Sequence, residues 1–388
     1  MNKIVIIGAN NFQVPLIKKA GEMGLETFVF AWEEGAVGRD YCDHFYPISI
    51  MEKEKILSIA REINPVAVVS IGSDLASITV NYLAEELGLP GNSMRCSELT
   101  TNKFLMRERL SERGISCPGF VRHTSGTGST DANHLRYPLI IKPVDRSGSR
   151  GVTKIKTMFE MPDAVARALT ESFCGECVIE EFVTGKEYSV EMISFRGEHH
   201  FLQITEKETT GAPYFVESGQ HQPASLSEAV KNKIIDTVTS ALNALEVTNG
   251  ASHTEVLVTK ENEVYIVETG ARMRGDYIGS HLVQLSTGYD FLKATIQVAM
   301  DKFEQPILDK PAFSGIYYEI PKPGIITEVI DNTNLYTEIV QTEVYYKVGY
   351  HLPEVKESNQ RAASFIYQSI SKKFEYDPSI LQIITEQR

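Results

Sequence analysis

The stretch "HTEVLVTKENEVYIVETGAR", residues 253–272, sets Glu255 and Glu268 thirteen residues apart in two apolar runs joined by a polar turn. The runs predict strands over 252–259 and 263–270. A hairpin centred near Asn262 then places the two acids opposite each other, on one face. Facing carboxylates repel unless something positive lies between them. Magnesium suits that place, because it takes oxygen ligands and bridges carboxylates to nucleotide phosphates. Arg272, four residues beyond Glu268, is placed to grip a phosphate or carboxylate with two parallel N–H bonds. A solvated face of alternating charge is the competing reading. Glu268, however, directly follows the apolar "VYIV", and an acid at the end of a buried run needs a partner.

Two stretches upstream point the same way. In "IIKPVDRSGSRGV" (140–152) an apolar strand ends in Lys142 and Pro143 and spills into a polar loop. Ser147, Gly148, Ser149 and Gly151 give that loop the freedom and the backbone N–H groups to fold over a polyphosphate, with Lys142 as a point charge. The GK[ST] ending of a Walker A loop is absent, and such a loop alone is most often a plain hairpin turn. In "VIEEFVTGKEYSVEM" (178–192) an apolar strand ends in Glu180, Glu181 and Phe182, and a glycine turn leads to Glu187. Backbone at such a hinge can read an adenine edge, and an acid a few residues on can hold ribose hydroxyls.

The bulk of the chain bounds these readings. Its 388 residues exceed one ordinary core, so two or three domains are expected. With 51 acidic against 38 basic residues the net charge is -13, which disfavours nucleic acid and anionic lipid as partners. The beginning, "MNKIVIIGANNFQVP", reads as a strand and turn, not a signal peptide. Five scattered cysteines suit a reducing cytoplasm; Cys174 and Cys177 have CxxC spacing, but no second pair accompanies them. Strands at 3–8, 26–32 and 66–73 alternate with helices at 14–23, 52–63 and 75–87, predicting a doubly wound parallel sheet. Gly8–Asn10 and Ser73–Asp74 lie where such sheets bind ligands, though turn chemistry accounts for them equally well and is the favoured reading. A helix over 101–114 opens the next part. A polar loop, 124–134, and a strand-rich stretch follow, then a helix over 226–245, the hairpin, and helices over 276–286 and 289–302. The last 85 or so residues read as a small β-rich closing domain.

Taken together, "NKFLMRERLSERGI", "YPLIIKPVDRSGSRGV", "EEFVTGKEYSVE", "GASHTEV" and "VETGAR" resemble the ATP-grasp superfamily in order and spacing, over about Thr101 to Met300. The branch is that of carbamoyl-phosphate synthetase and the L-amino-acid ligases. The resemblance implies an ATP-grasp fold, mixed α/β and α+β, with an N-terminal doubly wound α/β domain (1–97), an ATP-grasp domain (98–303, its lid about 120–185) and a C-terminal β-rich domain (304–388). It implies that Lys103 and Lys142 contact the nucleotide phosphates while the loop from Arg146 to Gly151, with Ser147, Gly148 and Ser149, closes over them. Glu180, Glu181 and Phe182 would line the adenine and Glu187 the ribose. Glu255 and Glu268 would ligate magnesium, with manganese as the alternative metal, and Arg272 would stabilise the transferring phosphoryl group. Arg274 adds a cation near the transfer point, and a surface arginine is an equal reading of it. His221 and Glu217, in "PYFVESGQHQPA" (213–224), fall in the loop that faces substrate in this branch, although ordinary loop residues are the safer reading.

One departure stands out. The family pattern sets Asn two residues after the second glutamate, and here Gly270 occupies that place, which removes one metal ligand. The implied activity is an ATP- and magnesium-dependent carboxylate–amine ligation through an acyl phosphate. The implied partners are small-molecule carboxylates and amines, amino acids foremost, with a homodimer compatible and a cytoplasmic location. Two alternatives stay open: another ATP-grasp reaction, such as carboxylation or a purine-pathway ligation, or nucleotide binding without catalysis.

Overall fold

Residues 1–126, 132–211 and 216–386 are described by a computed structural model, apart from the side chain of Asn359. The chain divides into two compact units. The first comprises Met1–Leu202, Leu226–Ser280 and Asp290–Pro306, and the second Gln203–Ser225, His281–Tyr289 and Ile307–Arg388.

The first unit opens with β1 (Lys3–Ile7), α1 (Val14–Glu22), β2 (Glu26–Ala31), β3 (His44–Pro47), α2 (Lys53–Ile63), β4 (Ala67–Val69) and α3 (Asp74–Leu87). The four strands are all parallel, in the order β3-β2-β1-β4. Ile4, Val5, Ile6 and Ile7 are fully buried, as a central strand covered on both faces requires. Burial of each such side chain contributes about 1.5–3 kcal/mol. The predicted doubly wound sheet is present. Its strand order reverses between β1 and β4, which opens a crevice at their carboxyl ends. Buried Gln13 spans that crevice: its Nε2 donates to Ser70 Oγ at 3.1 Å, and its Oε1 accepts from Ile71 N–H at 3.2 Å.

The helix expected over 101–114 is α5 (Lys103–Glu112), and a further helix, α4 (Met94–Thr101), directly precedes it. Asn102 separates them. Its extended backbone breaks the first helix, and its side chain caps the second by accepting from the N–H groups of Phe104 and Leu105. An antiparallel sheet follows, made of β5 (Phe120–Thr124), β6 (Leu139–Pro143), β7 (Thr153–Ile155) and, after α6 (Met161–Glu171), β8 (Glu176–Glu181). Its order is β5-β8-β6-β7, with Ala164 and Ala168 of α6 in its core. Next come β9 (Lys186–Phe195), β10 (Glu198–Thr209), β11 (Glu217–Gln222), α7 (Glu228–Ala244), β12 (Gly250–Val258) and β13 (Val264–Gly270). Within the first unit β12 pairs antiparallel with β13 on one side and with β9 on the other. The helices expected over 276–286 and 289–302 are shorter. Left-handed backbone at Asp276 (φ 53°) and Tyr277 (φ 62°) delays the first, which begins as a π-helical segment, Ile278–Leu282, and continues as Val283–Thr287; the second is Phe291–Ala299.

The second unit is β-rich. There β11 pairs with β10 and with Phe313–Glu319, which pairs with Ala363–Ser369. A three-stranded sheet of Gly324–Asp331, His351–Leu352 and Leu381–Glu386 encloses Ile326, Leu352, Phe365 and Leu381. Among the described residues no helix is long and apolar enough to cross a membrane.

The entry of β12 is set by one side chain. Buried Asn92 accepts from the N–H groups of Thr248 (2.7 Å) and Asn249 (3.0 Å) and donates to Asn249 O (2.8 Å). Asn92→Ala strips both N–H groups of their partner and is expected to lower the unfolding free energy by about 1–3 kcal/mol. Urea denaturation followed by circular dichroism checks this, and an unchanged midpoint contradicts it.

Candidate active site

The β12–β13 register pairs His253 with Gly270, Thr254 with Thr269 and Glu255 with Glu268, so the two acids face each other as the hairpin arithmetic predicts. Just past that pair the register shifts, leaving Val267 as a bulge. The bulge has a use: the Val267 carbonyl accepts from the guanidinium of Arg107.

Each acid meets its own cation. Lys103 Nζ lies 3.1 Å from Glu268 Oε1 and also donates to Arg146 O at 2.6 Å. Arg274 NH1 donates to Glu255 Oε1 at 2.6 Å. Lys103 and Arg107 are four residues apart on α5, one helical turn, so the same face delivers both. Arg107 is fully buried, and its Nε lies 2.9 Å from Glu180 Oε1, while Lys142 Nζ lies 2.8 Å from Glu180 Oε2. Glu180 is thus clamped between two cations. Burial pushes its carboxyl up, but the charges of Arg107 and Lys142 outweigh this and hold it below the usual range. Burial pushes the Lys142 amine down, with Arg107 and Lys103 adding to the fall against the pull of Glu180.

Two further acids complete the cluster. Asp74 Oδ1 accepts from Arg272 Nε at 2.7 Å. Burial works to raise Asp74, yet Arg272, helped by Lys103 and Arg274, holds it below the ordinary carboxylate value. Buried His253 has its Nδ1 2.5 Å from Glu191 Oε1, and its Nε2 lies 3.3 Å from Arg274 NH1. Glu191 and His253 are register partners on β9 and β12, on the face that carries Glu255.

The loop between β6 and β7 is tied at its base and free at its tip. Asp145 accepts from the N–H groups of Phe173 (3.2 Å) and Cys174 (2.9 Å). Arg146 pairs with Glu171 at 3.3 Å and lies over the Phe173 ring. Ser147, Gly148, Ser149 and Arg150 are exposed, with left-handed backbone at Gly148 and Ser149. Glycine is needed at 151, where a Cβ would stand 2.9 Å from Pro143 Cγ. On β8 the side chains alternate: Glu180 turns inward, and Glu181 turns to Arg136 (3.0 Å). Lys154 stands over the Phe182 ring, 3.2 Å from its centroid, and Glu187 is exposed opposite Leu257.

The structure therefore places Lys103, Lys142, Glu180, Glu255, Glu268, Arg272 and Arg274 in separate ion-paired sets, Lys103–Glu268, Arg107–Glu180–Lys142, Arg272–Asp74 and Arg274–Glu255, whose charges act on one another, and leaves Glu181, Phe182 and Glu187 outside them. Sequence reasoning overlooks Arg107, Glu191 and His253 and treats Asp74 as a turn residue. Arg107 is signalled by its helical spacing from Lys103, and His253 by its strand spacing from Glu255. In the second unit, buried His221 lies 3.4 Å from Glu208 Oε1 and 3.1 Å from the Tyr367 hydroxyl, and Glu217 lies 3.2 Å from Lys207. Burial pushes His221 down; the hydrogen bond from His221, with that from Lys373, holds Glu208 at about 2. Residues 213–215 of the loop read as facing substrate, and 127–131 of the polar loop, lie outside the described residues. All five cysteines are free.

A resident metal is compatible with this donor set. Glu255 and Glu268 offer oxygen alone, and among the described residues no group of three His, Cys, Asp or Glu side chains could hold an ion by itself. That suits magnesium, which binds through one or two carboxylates and completes its shell with phosphate and water.

Glu180→Gln leaves Lys142 and Arg107 buried without a full counter-charge and is expected to cost about 3–5 kcal/mol of stability. The acid limb supplies the sign. Glu180 and Asp74 are depressed in the folded protein, so their contribution is complete above their unfolded values near pH 4 and is lost as pH falls through the folded values. Thermal melts from pH 7 to pH 3 should therefore fall less steeply in Glu180→Gln than in wild type. Parallel curves would contradict the paired assignment.

Residues 135–281 match the ATP-grasp domain family. Dapdiamide A synthase of Enterobacter agglomerans is 24% identical over 296 residues, covering 71% of this chain and 69% of the relative. Alanine–anticapsin ligase of Bacillus subtilis is 27% identical over 259 residues, covering 60% of this chain and 53% of the relative. Among solved structures, the L-amino acid ligase of Bacillus licheniformis superposes with a TM-score of 0.83 at 24% identity, over 100% of this chain and 99% of that one. That likeness establishes the fold. Residues 135–281 thus carry an ATP-grasp domain, and the chain shares its fold with the solved L-amino acid ligase.

Proposed function

We propose that the first unit binds ATP with magnesium and transfers the terminal phosphoryl group to a carboxylate, giving an acyl phosphate. An amine then attacks the acyl carbon, forming an amide and expelling phosphate, so that each turnover releases ADP and phosphate. The reading is carried by the cross-strand pair Glu255 and Glu268, each answered by its own cation.

Magnesium held by Glu255 and Glu268 would spread the charge on the phosphate oxygens. Lys103 and Lys142 neutralise the nucleotide phosphates from α5 and β6. Arg272 and Arg274 stand at the end of β13, where they stabilise charge on the transferring group and hold a substrate carboxylate. Glu180 to Phe182 and Glu187 bound the adenine and ribose. The exposed tip of the 144–152 loop caps the phosphates and keeps water from the acyl phosphate. Such chemistry asks a protein for position and charge, not for a nucleophile. The named relatives support amino acids as donors of both carboxylate and amine.

An ADP-release screen of amino acids, singly and in pairs, with mass spectrometry of the product, tests the reading. ADP formed together with an amide is the expected result. ATP that binds but never yields ADP overturns ligation, and turnover that depends on bicarbonate points to carboxylation instead. Glu268→Gln is expected to lower magnesium-dependent ADP formation by about 100-fold or more with the fold intact; unchanged turnover removes the metal assignment. Lys142→Ala should weaken nucleotide binding or phosphoryl transfer, and a wild-type rate takes that lysine out of the site.

A further inference from the structure

Asp74 stands at the carboxyl end of β4, where it opens α3. Turn chemistry does not require its carboxylate to reach Arg272, yet Oδ1 accepts from Arg272 Nε at 2.7 Å. The two segments are also joined through their backbones, since Gly72 N–H donates to Met273 O at 2.9 Å. Gly72 has left-handed backbone (φ 67°), which favours glycine there, and a Cβ on it would only just touch Gly275 Cα at 3.4 Å. Arg272 itself lies over Gly270. A Cβ at Gly270 would stand 3.3 Å from Arg272 Cζ, 3.4 Å from its Nε and 3.5 Å from Asp74 Oδ1. A side chain at 270 would therefore crowd the guanidinium, which would have to give by a few tenths of an ångström.

The other edge of the same guanidinium is unsatisfied: Arg272 NH1 is buried and has no hydrogen-bond partner among the described residues. A buried, unpaired N–H of a charged group is costly and calls for an acceptor. An anionic oxygen of the reacting group is such an acceptor, and a guanidinium held along one edge meets it in a fixed plane.

We infer that Asp74 and Gly270 are positioning residues for Arg272, the carboxylate fixing one edge of the guanidinium and the missing side chain leaving room for it, so that NH1 is presented to the transferring phosphoryl group. The inference rests on the proposed function. It also gives the departure at 270 a role, because a Cβ there would already press on the Arg272 guanidinium. The N-terminal α/β layer then takes part in the transfer step through Asp74.

The test measures Mg–ADP affinity by calorimetry, and kcat and KM for ATP, in wild type, Asp74→Ala, Asp74→Asn, Gly270→Asn and the Asp74→Ala/Gly270→Asn double variant, with melts as a folding check. Asp74→Ala is expected to lower kcat by about 10–100-fold while Mg–ADP affinity stays within about twofold. Asp74→Asn keeps an oxygen for Nε and should recover part of the rate, which also serves if the alanine variant does not fold. Gly270→Asn should lose rate likewise, and the double variant should be no slower than the worse single one, because both act through Arg272. Variants that melt earlier but turn over at the wild-type rate overturn the inference, as does a faster Gly270→Asn. Wild-type protein that binds no Mg–nucleotide overturns the proposed function and this inference together, whereas binding with unaltered variants overturns the inference alone.

Discussion

Two carboxylates set opposite each other across a hairpin destabilise it unless cations answer them, and that constraint organises the first unit. Glu255 and Glu268 are fixed in this position by the β12–β13 register. Around them α5 supplies Lys103, and the chain beyond β13 supplies Arg274. A second layer repeats the arrangement out of water, with Glu180 between Lys142 and Arg107. Buried ion pairs of this kind cost desolvation that apolar packing would avoid, so stability alone does not explain them. Under the proposed function, a site that must accept a polyphosphate does.

Under the proposed function the same pairs explain how the site meets so large an anionic ligand without first collapsing. Lys103 already has a carboxylate, Glu268, and a carbonyl, Arg146 O, as partners. Its link to Arg146 also joins α5 to the loop that caps the phosphates, so a change of partner at Lys103 is felt at the loop. The base of that loop stays tied by Asp145 and Arg146, while Ser147 to Arg150 remain exposed. A tied base with a free tip is what a phosphate cover needs.

Much of this was legible before any coordinates. Alternating strands and helices predict the parallel sheet, because burial on both faces writes itself as unbroken apolar runs such as Ile4–Ile7. The pairing of Glu255 with Glu268 follows from counting inward to the turn. That count fails beyond Val267, since a bulge leaves little mark in the sequence. The helix Met94–Thr101 leaves little mark in the sequence, because it is short and mostly polar. Arg107 was missed because a fully buried arginine runs against the expectation that charge sits outside. Asp74 and Arg272 are 198 residues apart, and no local pattern announces a contact at that distance. The ion pairs are thus half local, from helix and strand periods, and half tertiary.

The central claim is that a carboxylate is activated by phosphoryl transfer. The most direct measurement is isotope tracing, with the carboxylate oxygens of the active acid labelled with oxygen-18 and the released phosphate analysed by mass spectrometry. An acyl phosphate leaves one carboxylate oxygen on phosphorus, so the account predicts labelled inorganic phosphate in step with the amide product. Amide formed with unlabelled phosphate would contradict it.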